Sequence, residues 1–169
     1  MSPAMTRNTP AFVAALAAVA AVAAAAAPPA AAGARLSRVE RAVIRQVNYV
    51  RSAHGLASLR PSPVLSRAAD HHSRDMLRGD FFDHNSGDGT SFASRVRRYC
   101  DARMVGETLA AIGRRRRGAA LVVRLWMESP PHRAVLLEPH FRRIGIARRW
   151  GMLGGAGRAV VTADFASAR

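Results

Sequence analysis

The stretch WMESPPHRAVLLEPHFRRIGIA, Trp126–Ala147, runs from the end of an apolar helix through a second short helix into a strand. Ser129 suits a helix cap, and Pro130 suits a first helical position, where the missing N–H has no partner to lose. PPHRAVLLE then reads as a short helix closed by Pro139. The prolines fix the entry of the chain, so His132 is held rigidly in the first turn. Beyond Pro139 the pattern changes from helical spacing to alternation, with Ile144 and Ile146 on one face.

Working outward, AALVVRLWMES reads as a helix that buries Ala119, Val122, Val123, Trp126 and Met127. RRIGIARRW and GRAVVTADFA read as an antiparallel hairpin separated by the glycine-rich GMLGGAG. RMVGETLAAIG, broken by Gly106, reads as extended, and RRRRG as a solvated basic turn. Near the start, Ser37 and Glu40 have the spacing of a capping box. Val39, Val43, Val47 and Val50 then recur at helical intervals up to Gly55. A second helix begins at Ser62-Pro63, turns Leu65, Ala69, His72 and Met76 inward and ends at Gly79. On that face His72 reads as a core histidine with a hydrogen-bond partner, whereas His71 faces solvent. A third helix begins near Thr90 or Ser91, after a loop rich in Asn, Ser, Asp and Gly. Helices first, then strands mixed with helices, predict an α+β fold.

Residues 1–34 stand apart. One positive charge, Arg7, precedes an uncharged, alanine-rich run from Ala11 to Ala27 and then small residues up to Ala34. This is the pattern of a cleaved signal peptide. It leaves 35–169 as one domain of about 135 residues, a size that supports one core. No other segment is apolar and long enough to cross a bilayer. The net charge is +15, and all 26 basic residues are arginine. Total exclusion of lysine beside abundant alanine and glycine reads as coding bias. The charge is therefore a modifier of the surface, suited to anionic cell-envelope polymers, and an exported chain is not expected to have a specific nucleic-acid partner. With one cysteine, Cys100, no internal disulfide framework is possible. Cys100 closes FASRVRRYC on the side of Phe92 and Val96 and reads as buried.

Three residues carry chemistry: His84 in FFDHNSGDG, Glu107 in VGETLA and His132 in SPPHR, with Glu128 as a fourth candidate in the same cleft. Two neutral imidazoles and a carboxylate supply three ligands to zinc and leave a position open to water. The same groups suit acid–base work. No HExxH, CxxC or nucleophile elbow is present, so spacing alone does not choose between them.

The ordered motifs VNYVRSAHGLASL, AADHHSRDMLRGDFFDHNSGDGTSF, GETLA, VVRLWMESPPHRAVLL and FRRIGIA resemble a bacterial secreted CAP (SCP-like) domain over residues 40–165. That superfamily includes cysteine-rich secretory proteins, antigen 5 and the pathogenesis-related proteins. The resemblance implies a three-layer α-β-α sandwich with a small antiparallel sheet. It also implies a cleft of two histidines and two acids that binds a divalent cation in some members. By motif, His84, Glu107 and His132 match three of the four, while Glu128 stands where bacterial members vary. Thr108 replaces a common Asn, with altered hydrogen bonding at the cleft floor as its expected effect, and Pro131 replaces a common Gly. His140, His54 and Trp126 read as loop, helix-end and core residues.

Three functions follow in order. The first is a secreted, non-enzymatic module that binds a small lipid- or sterol-type ligand or a divalent cation such as zinc. The second is a metal-dependent hydrolase acting on peptides or cell wall, although no Ser or Cys lies beside a base. The third is an adhesion protein working through its arginine surface.

Overall fold

The structure, a computed structural model, describes residues 36–113 and 118–168, all within the unit Ala32–Arg169. The signal-peptide reading of 1–34 and the basic turn at 114–117 lie outside the described residues. Helix α1 (Arg38–Ala53) opens on the expected capping box, with Ser37 N–H donating to Glu40 at 2.6 Å and Glu40 N–H donating to the Ser37 hydroxyl at 3.3 Å. Its buried stripe is Glu40, Val43, Ile44, Val47 and Arg51, rotated from the valine stripe the sequence suggested. Val39 is exposed because Glu40 takes the inward position, where it also accepts from Arg148 N–H at 2.9 Å.

Strand β1 (Arg60–Pro61) has only two residues and no sequence signal. Helix α2 (Pro63–Gly79) buries Leu65, Ala69, His72 and Met76 as their spacing predicts. It ends on Asp80 at φ 50°, whose carboxylate accepts from Gly154 N–H at 2.6 Å. Helix α3 (Phe92–Arg97) is capped by Ser91, β2 spans Val105–Gly113 and α4 spans Ala119–Glu128. Trp126, 1 % exposed, donates its indole N–H to the Leu109 carbonyl at 2.9 Å, so its apolar body is buried without an orphaned donor. Helix α5 (Pro130–Leu136) starts at Pro130 as read, but the Ser129 side chain makes no capping hydrogen bond. The Ser129 carbonyl accepts from Arg133 N–H at 2.8 Å instead, and the proline alone sets the entry.

Strands β3 (Phe141–Leu153) and β4 (Ala156–Ser167) form the hairpin, but the glycine-rich segment between them is mostly strand. Only Gly154 and Gly155 turn, with φ of 57° and 71°, the left-handed pair that a two-residue hairpin loop requires. The sheet order is β1-β3-β4-β2, antiparallel except for the short parallel pairing of β1 with β3. Alternation along the strands sorts the two faces. Ala110, Ile112, Ile144, Ile146, Ala159, Val161 and Phe165 pack with α1, α4 and α5. Leu109, Leu153, Val160 and Ala166 pack with α2 and α3. The result is the expected three layers.

Beyond β1, the outer edge of β3 is closed by side chains. Ile146 N–H donates to the Ser66 hydroxyl at 3.2 Å, and Arg148 N–H donates to Glu40. Cys100 is buried beside Val96, as expected, and burial pushes its thiol pKa up, which makes it a poor nucleophile. Among the described residues no helix is long and apolar enough to cross a membrane.

Candidate functional site

β2 lies at one edge of the sheet, and the candidate residues gather around it from both helical layers. Gly106 faces the α5 layer: a Cβ there would lie 2.8 Å from the Phe141 ring and 3.0 Å from Val135. Its bare backbone lets α5 settle against the strand and brings His132, in the first turn, to the edge. Glu107, one residue on, faces the opposite layer. The loop between α2 and α3 supplies His84 there, and the His84 and His132 ring centroids lie 5.7 Å apart. Two layers meet at one strand edge.

The His84 loop is built from short polar turns. Asp83 accepts from Asn85 N–H at 2.7 Å, and Asp88 accepts from Thr90 N–H at 2.9 Å. His72 pins the loop from beneath, with Nε2 at 2.9 Å from the Asp83 carbonyl. A carbonyl only accepts, so Nε2 carries the proton. Burial lowers the His72 pKa and keeps the ring neutral. The core reading of His72 is right, and its partner is the site loop.

Glu107 is fully enclosed, its side chain 0 % exposed. His84 Nδ1–H donates to one carboxylate oxygen at 2.8 Å, and Arg95 donates to the other. Arg95, 3 % exposed, also holds the His84 carbonyl and the Ser86 hydroxyl, each at 3.0 Å. One guanidinium therefore ties α3, the loop and β2 together. A buried pair of this kind adds little net stability but fixes geometry, because desolvation offsets most of the attraction. With Nδ1 committed, His84 has Nε2 left to offer, and its side chain is 44 % exposed. His132 is kept neutral by burial and then by the proximity of His84.

Directly across the ladder from Glu107 stands Asp164, wholly buried. Burial first, and the Glu107 charge second, push its carboxyl well above the usual carboxylate range, against the pull of Arg95. Asp164 is thereby biased toward its protonated form beside the Glu107–Arg95 contact. In the folded state Asp164 keeps a proton that the unfolded chain releases, so its contribution to stability falls as pH rises above the ordinary carboxylate range. Asp164→Asn removes that fall. The melting-temperature difference, variant minus wild type, should grow more positive from about pH 4 to about pH 7. A constant or shrinking difference would mean that Asp164 is ionised.

The candidate acids are placed apart. Both Glu107 oxygens are engaged, one by His84 and one by Arg95, and none of its side chain reaches solvent. Among the described residues no group of three or more His, Cys, Asp or Glu is arranged to hold a metal ion. Glu128 sits elsewhere, 62 % exposed beside Arg124 at 3.7 Å on α4, and among the described residues no hydrogen bond or ion pair links it to the histidines. The acid that stands beside Glu107 is Asp164. Thr108 is fully buried and, by alternation, shares the face of Gly106 and points away from Glu107. The sequence reading missed Arg95 and Asp164. An Asp inside a strand as apolar as AVVTADFA was the available signal, since strands are depleted in Asp; nothing distinguished Arg95 from its neighbours.

A sequence model of the cysteine-rich secretory protein family, CAP, matches residues 44–164. The chain belongs to the CAP family. Among curated relatives, the uncharacterized protein YkwD of Bacillus subtilis is 31 % identical over 112 residues, covering 66 % of this chain and 42 % of YkwD. The uncharacterized membrane protein YlbC of the same organism is 28 % identical, over 63 % of this chain and 30 % of YlbC. This CAP chain therefore spans less than half of each curated relative. Among solved structures, an extracellular SCP-domain protein of Bacillus anthracis aligns over 76 % of this chain and 40 % of its own, with a TM-score of 0.61 at 24 % identity. An outer surface protein of Borrelia burgdorferi aligns over 76 % of this chain and 92 % of its own, with a TM-score of 0.65 at 18 % identity. These likenesses support the CAP fold and say nothing by themselves about a ligand.

Proposed function

We propose that this CAP protein is an exported, non-enzymatic binding module whose cleft takes a divalent cation, zinc by preference, between His84 and His132. The carrying observation is the 5.7 Å approach of the two rings, one of them oriented by a buried carboxylate. A carboxylate that accepts from the far nitrogen of an imidazole fixes the tautomer a metal needs and raises its basicity. His84 and His132 would hold the ion, while Glu107 and Arg95 hold His84. When bound, the ion supplies a Lewis-acidic anchor with open positions for an anionic group of a ligand. Export is supported by the signal-peptide pattern of residues 1–34 and by extracellular or surface proteins among the fold's likenesses.

A cation has more support than a bulky lipid. The hollow between α1 and α4, lined by Glu40 and Arg148 as well as Val43, Val122, Ile146 and Val161, holds about 210 Å³, below the about 300–1,000 Å³ usual for drug-sized ligands, and the roomier groove of about 700 Å³ is lined by three arginines. Catalysis by metal-assisted hydrolysis has little support here. A base that activates water must reach it, and the Glu107 side chain has no exposed surface.

The test is calorimetric titration of the untagged mature protein with zinc sulfate. One equivalent should bind the wild type. His84→Ala and His132→Ala should each abolish it while melting cooperatively, and Glu107→Gln should weaken it by about 10–100-fold through loss of orientation. A wild type that gives no heat and no rise in melting temperature with zinc ends the proposal.

A further inference from the structure

Near the same end of the sheet as the histidine cleft, but on other residues, positive charge is concentrated in a concave surface. The starts of β1 and β3 and the end of β4 converge there on a groove of about 700 Å³, lined in part by Arg60, Arg142 and Arg143. A second hollow of about 370 Å³ adjoins it, shares Arg142 and Ala168, and adds Arg103 and His140. Among the described residues no carboxylate side chain lines either one. Glu138, two residues before His140, is engaged by the backbone N–H and ring of that histidine.

Elsewhere the scarce acids are spent on arginines: Asp70 on Arg74 and Arg149, Glu107 on Arg95, Glu128 on Arg124. In the groove, none of the guanidiniums has a carboxylate partner among the described residues. Arg143 donates one nitrogen to the Ser167 carbonyl at 2.9 Å, and Arg142 donates one to the carbonyls of Pro139 and Phe141. These bonds hold the side chains in place and leave further N–H groups on each. The Arg60 side chain makes no hydrogen bond or ion pair among the described residues. The walls are stiff, because Pro61 and Pro63 fix the backbone beside Arg60.

The geometry points to a docking track for an extended phosphodiester polymer that carries no bases, of the polyol-phosphate kind. Guanidinium forks match the paired oxygens of a phosphodiester, and their positive charge is complementary to its single negative charge per repeat. Two joined hollows, each larger than one phosphate, fit successive groups of a chain and not a lone ion. Among the described residues no Trp, Tyr or Phe lines them, so a nucleic acid finds no platform there on which to stack bases. The track is separate from the His84–His132 cleft and does not depend on a metal there.

The test is fluorescence anisotropy of the mature protein with labelled poly(glycerol phosphate), from about 50 to about 200 mM salt. The triple variant Arg60→Ala/Arg142→Ala/Arg143→Ala should bind at least about tenfold more weakly, with a salt dependence shallower by about two phosphate contacts. Arg45→Ala/Arg67→Ala/Arg78→Ala, which removes the same charge from exposed helix positions, should retain binding within about threefold. Arg60→Ala alone has no internal bond to lose and should weaken binding severalfold while melting like wild type. Equal losses in the two triple variants, an unchanged Arg60→Ala, or single-stranded DNA or polygalacturonate binding as tightly as the polyol phosphate overturns the inference.

Discussion

Gly145→Ala is expected to cost about 4 kcal/mol or more, a large share of the about 5–15 kcal/mol that holds a domain folded. Gly145 sits in β3 with the backbone of α2 pressed against it. A Cβ there would lie 2.1 Å from the Leu65 carbonyl carbon and 2.2 Å from the Ser66 nitrogen. Those atoms belong to a helix backbone and cannot rotate aside as a side chain does. The helix as a whole must lift, which loosens the burial of Leu65, Ala69 and Met76 and lengthens the Ser66–Ile146 hydrogen bond. Ordinary overpacking costs about 1–3 kcal/mol because side chains give way; here nothing local gives. Since α2 also carries His72, which pins the His84 loop, surviving folded protein should bind zinc poorly. Urea unfolding followed by circular dichroism measures the loss. A variant within about 1 kcal/mol of wild type would mean that α2 slides freely over the sheet.

The second large effect is expected at Arg51. Its residue surface is 0 % exposed, yet it lies in a helix that a periodicity argument makes half solvent-facing. The side chain donates to the carbonyls of Ala57 at 2.9 Å, Leu136 at 2.7 Å, Glu138 at 3.0 Å and Phe141 at 3.5 Å. It thereby ties the end of α1 to the end of α5 and the start of β3. Arg51→Met keeps most of the apolar stem but strands these acceptors without donors, at about 3–5 kcal/mol. Arg51→Lys should recover only part, because one ammonium cannot reach carbonyls spread around a planar fork. The check is again the unfolding free energy of the two variants. If methionine is tolerated and lysine matches wild type, the carbonyls are served by water and Arg51 does not tie these elements together.

The elements were legible where the physics is local. Caps at Ser37, Ser62 and Ser91, proline at the start of α2 and α5, and the alternation of Ile144 and Ile146 all act within a few residues, and each element they predict is present. What escaped depends on contacts across long separations. The inward positions of Arg51 and Glu40 escaped because their partners lie 85 and 108 residues away. β1 escaped because two residues carry no period, and their pairing with β3 is supplied by the fold. At the site, the meeting of His84, Glu107 and His132 followed from motif resemblance and not from spacing. The division of labour did not follow: Arg95 takes one oxygen of Glu107, Asp164 stands across from it, and Glu128 lies apart. Which acid faces a cleft depends on strand register, and register is set by the whole sheet.

The closed outer edge of β3 bears on how this protein behaves in company. An unpaired strand edge is an invitation for a second copy to dock and for the pair to grow into fibrils. Here the amides of Ile146 and Arg148 are already answered by a serine and a glutamate from the flanking helices. Another chain arriving at that rim finds two of its anchoring donors taken and a bulky helix on either side. On this side of the sheet, strand addition by a second copy is therefore blocked, and the capping is supplied by the same two helices that pack on the sheet's faces.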